Sequence, residues 1–195
     1  LGYVTIYDQT QEAISYLNSV KKLADELGVS GAFDKNLIDR FSKNIGNKDS
    51  LLGLVSVAYR ASDAYLKNNE RNDVSGLILA GGLIESLYFA TSAVKAKDNY
   101  EIRRRIGEQK SSLNSLIKLL TPYYSQPEYT EFIDSLKDLA TTFEGVEFKY
   151  TYSKPGVDIQ NKLTTVTSKT EVKITPEQVE EITQKIKSIR NQIAG

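Results

Sequence analysis

No cysteine, histidine, methionine or tryptophan occurs in the 195 residues, and proline appears only four times. Without cysteine there is no disulfide framework, no thiolate nucleophile and no thiolate zinc site. Without histidine there is no imidazole base or metal ligand, which excludes the Ser–His and Cys–His mechanisms. An excess of one charge is lacking too: 25 basic residues meet 25 acidic ones, whereas nucleic-acid binding needs a basic footprint to displace counterions. The only basic cluster, Arg103-Arg104-Arg105, occupies consecutive positions that cannot share one helix face and reads as a solvated stretch. Phosphate-cradling glycine loops, a nucleophile elbow, EF-hand spacing and Asn-x-Ser/Thr sequons are all missing. What remains is carboxylate, Lys, Tyr or Ser/Lys chemistry, or none. No cofactor or metal site is expected.

What is present is helical periodicity. Asp8 to Leu27 places Ile14, Leu17, Val20, Ala24 and Leu27 at spacings of three and four, with Gly28 as the stop. A second helix is predicted near Asp34 to Ile45, with Leu37, Ile38, Phe41 and Ile45 inward. A third runs from about Asp49 to Asn68, with Leu51, Val55, Ala58, Tyr59, Ser62, Tyr65 and Leu66 on one face. Asn68, Asn69, Asn72 and Asp73 read as a turn feeding an N-cap.

The helix from about Val74 to Val94 is apolar almost all round and carries one charge, Glu85. Its length would allow a membrane span, but seven Gly, Ser and Thr residues dilute it, and Glu85 adds roughly 2.5–3.5 kcal/mol to insertion. A helix apolar on all sides is otherwise the buried centre of a bundle. A polar, Arg-rich connection follows, then a short helix from Ser111 to Leu120. The next helix starts at Pro127 and carries Tyr129, Phe132, Ile133, Leu136, Ala140 and Phe143 inward. All four prolines lie outside helix interiors, as their missing N–H requires.

Residues 146–174 change character. Val146, Phe148, Tyr150 and Tyr152 alternate with polar residues in the pattern of a half-buried strand, and Val172 and Ile174 repeat it. Two short strands at most are expected, around the turn Lys154-Pro155-Gly156. The last helix opens on Thr175-Pro176-Glu177-Gln178, a capping box with proline at the first position. Its seam of Val179, Ile182, Ile186, Ile189 and Ile193 is read as docking back on the bundle.

One constellation invites function. Helical side chains lean toward the turn before them, so Glu85 leans over Gly81 and Gly82. Adjacent glycines inside a helix cost about 1 kcal/mol each against alanine, and they leave a notch beside the only charge on the helix. Tyr88 lies one turn on, and Tyr59, Arg60 and Asp63 on the preceding helix stand at compatible heights. A structural ion pair, for instance with Arg60, is the simpler account; a ligand pocket anchored by Glu85 is the functional one. The tyrosines Tyr123, Tyr124, Tyr150 and Tyr152 suit the ordinary boundary of a bundle, and equally an amphipathic groove.

Leu23-Ala24-Asp25-Glu26-Leu27-Gly28, Asp63-Ala64-Tyr65-Leu66-Lys67 and Ala80-Gly81-Gly82-Leu83-Ile84-Glu85-Ser86-Leu87-Tyr88 resemble stretches of a group of uncharacterised secreted or lipid-anchored, all-helical proteins of Bacteroidota. That resemblance implies a signal and a lipidated cysteine upstream of Leu1, an extracytoplasmic location in the periplasm or at the cell surface, and no catalytic residue to carry over.

The expectation is therefore a mainly α, antiparallel bundle of about six to seven helices forming a single domain over 1–195. A core at 1–145 is followed by an extended or β-ribbon excursion at 146–174 and a docking helix at 175–195. The function expected is a non-catalytic envelope-associated binding module for a protein, glycan or small ligand, touching a membrane only through an upstream anchor. Candidate ligand-binding residues are Glu85, Gly81, Gly82, Tyr88, Tyr59, Arg60 and Asp63. The alternative is a glycosidase-like hydrolase with Glu85 and Asp63 as its acid/base pair.

Overall fold

The computed structural model describes residues 2–7, 9–33, 35–44 and 46–195. Asp8, Asp34 and Ile45, which the sequence places at helix ends, lie outside the described residues. Among those described, the chain is mainly α, with eight helices, two 3-10 turns and four short strands. It divides into two compact units, Leu1–Ser75 and Gly76–Gly195.

The first unit holds α1 (Gly2–Ile6), α2 (Thr10–Glu26), α3 (Lys35–Lys43), α4 (Lys48–Asn68) and the opening of α5 (Asn72–Ala96). Helix α1 is too short to show a period, and the sequence does not announce it. Helix α2 stops as Gly28 requires: at φ 69° it lets Val29 N–H donate to the Ala24 carbonyl at 2.8 Å and its own N–H donate to that of Asp25 at 3.1 Å. Arg71 Nη1 donates to the Leu27 carbonyl at 2.7 Å, tying the turn before α5 to the end of α2. The core is Leu37, Phe41, Leu51 and Leu54, with Leu17, Phe33 and Val55 against it. The α2 stripe is narrower than its period suggests. Ala13 and Ala24 are buried while Val20 and Leu27 are exposed, as is Ile38 on α3.

The second unit holds the rest of α5, then α6 (Tyr100–Leu120), α7 (Pro127–Glu144), strands β1 (Glu147–Thr151), β2 (Gly156–Asp158), β3 (Leu163–Thr165) and β4 (Lys169–Lys173), and α8 (Pro176–Ala194). The expected Arg-rich connection is instead the first half of α6. Asn99 caps it, accepting from the N–H groups of Glu101 and Ile102, and charges three and four apart brace it. Arg104 pairs with Glu101 at 2.9 Å and with Glu108, Arg105 pairs with Glu108 at 3.1 Å, and Arg103 reaches Asp98 at 3.2 Å.

Ala80, Ile84 and Leu87 of α5 join Ile106, Leu113 and Leu120 of α6, Ile133, Leu136 and Phe143 of α7, and Ile182 and Ile186 of α8 in one core. Helix α5 is not buried on all sides as expected: Leu77, Leu79 and Phe89 are exposed. Among the described residues it is the one helix long and apolar enough to cross a membrane; in this fold one of its faces is core. Helix α8 opens with the predicted capping box, Gln178 N–H donating to Thr175 Oγ1 at 3.2 Å and Thr175 N–H to Gln178 Oε1 at 2.9 Å. It packs along α7, with only Ile193 of its seam exposed.

The β excursion is larger than two strands. Strand β1 pairs antiparallel with β4, Phe148 opposite Val172 and Tyr150 opposite Thr170, and β2 pairs with β3 farther out. Val146 and Val172 are buried where the base of this arm meets α6. Gly107 makes that approach possible, because a Cβ there would stand 2.6 Å from Val172 Cγ1 and 3.2 Å from Val146 Cγ1. Lys110 Nζ clamps the junction, donating to the carbonyls of Glu144 and Val146 at 3.0 Å each.

Candidate functional site

Glu85 finds its partner at the far end of the chain. Arg190 Nε, on the last turns of α8, donates to Glu85 Oε1 at 2.7 Å. The Arg190 guanidinium also lies 4.7 Å from the centre of the Tyr88 ring. Both charged side chains remain part-open to water, Glu85 by 42% and Arg190 by 38%, so Glu85 is not the buried carboxylate that its apolar helix suggests. The ion pair weighed on sequence grounds exists, with Arg190 rather than Arg60 as its cation. Gly81 and Gly82 are exposed. A Cβ on Gly81 would meet nothing within 4 Å, so the notch is open surface and not a seat for a neighbouring helix.

Tyr59, Arg60 and Asp63 belong to the first unit, on α4. Asp63 accepts from Lys67 Nζ at 2.7 Å and from Ser75 Oγ at 2.8 Å. These two hydrogen bonds hold its carboxyl below the usual range. The Tyr59 phenol is pushed above its usual range, first by burial and second by the Asp63 charge one turn on. Glu85 and Asp63 thus sit in different units, and each is engaged within its own. Among the described residues, no three acidic side chains are grouped to hold a metal ion.

The four tyrosines serve different elements. Tyr123 packs against Tyr129 with ring centres 5.8 Å apart. Tyr124 donates to Asp134 Oδ2 at 3.0 Å, with Lys137 Nζ 3.8 Å from its ring centre. Tyr150 and Tyr152 stand on the arm, and both are exposed, as is Phe148, where the alternation predicted half-burial. The register explains it. Phe148 and Tyr150 share one face with Val172 and Thr170, while Glu147, Lys149 and Thr151 share the other with Lys173, Glu171 and Lys169. Only the base of the apolar face reaches α6; its continuation projects past the helices. Just before the interruption at Lys154-Pro155, Ser168 Oγ accepts from Ser153 N–H at 3.1 Å, between the two strand pairs. Val157, Ile159, Leu163 and Val166 then follow, all exposed, Ile159 by 85%.

Sequence reasoning passed over this distal segment because alternating Thr and Ser residues look like polar coil. The signal available was the set of isolated aliphatics between them. It also passed over an open groove of about 810 Å³ between α7 and α8, lined by Glu131, Asp134, Asp138, Lys185, Ser188 and Gln192 among others. There Lys185 donates to Asp138 Oδ1 at 3.0 Å and pairs with Glu181 at 3.3 Å. Burial pulls the Lys185 ammonium down, and its bonds to these two carboxylates outweigh that, so its pKa stays raised.

Compared with protein-family models, curated proteins and solved structures, the chain matches none of them.

Proposed function

We propose that this chain is a non-catalytic, envelope-associated binding module whose contact surface is the β arm of residues 147–173. The observation that carries the reading is the uncovered apolar run on that arm, from Tyr150 and Tyr152 to Val157, Ile159, Leu163 and Val166. So many exposed apolar side chains on one short arm, on both faces of its distal hairpin (Val157 beside Thr164, Leu163 beside Asp158), are disfavoured on a soluble protein unless something covers them. Tyrosines add apolar area with a hydrogen-bonding tip, the composition favoured at contact surfaces. Glu85 is held by Arg190 and Asp63 by Lys67 and Ser75, so each carboxylate is accounted for by a structural ion pair or hydrogen bond, which favours binding over hydrolysis. The envelope location rests on the resemblance of Leu23–Gly28, Asp63–Lys67 and Ala80–Tyr88 to secreted or lipid-anchored proteins.

The test is a binding screen of the intact chain against envelope protein extracts, glycan arrays and lipid vesicles, run beside a Tyr152→Ser/Ile159→Ser variant. Retention by the wild type and loss in the variant is the expected result. Turnover of an envelope substrate, with no binding that depends on the arm, overturns the reading.

A further inference from the structure

The charges of the arm are not evenly spread. At its base, Glu147 lies 3.9 Å from Lys173, and Lys149 stands opposite Glu171 in the ladder, so acids and bases cancel. Farther out, Lys154, Lys162 and Lys169 face a single acid, Asp158. Both Asp158 oxygens are taken by Asn161, from its backbone N–H at 3.0 Å and its Nδ2 at 2.8 Å, which lowers the Asp158 pKa. The three lysines have no carboxylate partner among the described residues. In a chain whose charges balance overall, this is a local excess of cations, and it coincides with the most exposed aliphatic side chains.

Along the arm come the tyrosines, then Lys154 and Lys169, then Val157 and Val166, and the turn that joins β2 to β3 carries Ile159 and Lys162. The distal hairpin is short, three paired residues per strand, and an apolar face laid along a lipid interface sinks about 5–10 Å into it. Tyrosine rings settle at headgroup level, and lysine stems bury along apolar surface while their heads stay with the phosphates. A second copy of the arm is a poorer occupant, because a two-fold pairing would bring together two surfaces with the same excess of lysines.

We propose that the distal hairpin docks on an anionic lipid surface. Val157, Ile159 and Val166 enter the interface, Tyr150 and Tyr152 rest at headgroup level, and Lys154, Lys162 and Lys169 meet the headgroup phosphates. This rests on the reading of the arm as the contact surface and names the chemistry it contacts.

The absence of tryptophan makes a clean probe available. An Ile159→Trp chain is mixed with vesicles of phosphatidylglycerol and phosphatidylcholine, and separately with vesicles of phosphatidylcholine alone. Expected are a blue shift and shielding from iodide on the anionic vesicles, at least tenfold weaker partitioning on the neutral ones, and release as salt rises. Lys154→Glu/Lys162→Glu/Lys169→Glu should weaken partitioning by about a hundredfold, with helical content and melting unchanged because all three side chains lie outside the core. Unchanged emission on anionic vesicles, while arm variants lose self-association in sedimentation velocity or lose a protein or glycan hit from the screen, overturns the lipid assignment and leaves the binding reading standing. If arm variants alter no association of any kind, both fall.

Discussion

Arg190 and Glu85 are 105 residues apart and meet at 2.7 Å, joining the last turns of α8 to the middle of α5. The pair is half-open to water, where such bridges contribute about 0–1 kcal/mol, and the guanidinium adds a contact with Tyr88 worth about 0.5–1 kcal/mol. Glu85→Gln is therefore expected to cost about 0.5 kcal/mol, and Arg190→Ala about 1 kcal/mol because it loses the ring as well. Urea unfolding of both single variants and the double variant gives the coupling, expected below about 1 kcal/mol. A larger coupling would mean a more desolvated pair than this geometry describes.

Two glycines should respond to alanine with opposite signs. At Gly81 the new methyl meets nothing within 4 Å, so the helix gains about 0.5–1 kcal/mol in propensity. At Gly107 the methyl would stand 2.6 Å from Val172. Overpacking costs typically about 1–3 kcal/mol, which exceeds the propensity gain and leaves a net loss. Melting temperatures of Gly81→Ala and Gly107→Ala, one raised and one lowered, check both statements.

Asp63 predicts an acid-side dependence of stability. Its folded pKa is lowered by Lys67 and Ser75, so the stability it contributes is present above the unfolded value, near 3.9, and is lost as pH falls through the lower folded value. Ser75→Ala removes one of the two donors. It should raise the Asp63 titration, followed by carboxyl NMR, and cost about 1 kcal/mol or less at neutral pH, given the carboxylate's partial exposure. The melting difference between wild type and variant should narrow as the carboxyl protonates.

The arm separates folding from contact along a single face. Val172 is buried at its base, Tyr150 is exposed on the same face, and Tyr152 is exposed just past the strand. Val172→Ala is expected to destabilise by about 1–3 kcal/mol through the cavity left against α6. Tyr152→Ser should stay within about 0.5 kcal/mol. Equal losses at both positions would show that the face is covered along its whole length.

Much of the helical plan was legible because its signals are local. Gly28 sits at a positive φ, the capping box at Thr175 forms both of its hydrogen bonds, and Pro127 opens α7. Each of these acts within a few residues of itself. Where the reading failed, the pattern itself was ambiguous. Helix α5 is apolar all round and so names no buried face. The opening of α6 looks like a loop until Glu101 and Glu108 are seen to brace Arg104 and Arg105. The candidate cluster divided for a related reason: helical heights place residues along an axis, but they do not say which helix will stand beside it.

The amino-acid sequence by itself determined the chemistry that is absent, the mainly helical class, and the starts and stops of most helices, because composition and capping depend on residue type and near neighbours. Only the tertiary structure decided which apolar residues became core and which stayed uncovered, since that depends on contacts between segments far apart in the chain. Gly107 admits Val172 to the core while Tyr150, two residues beyond Phe148 on the same strand face, passes beyond it. Arg190 likewise reached Glu85 because α8 folds back along α7, a relation that no period in either helix contains.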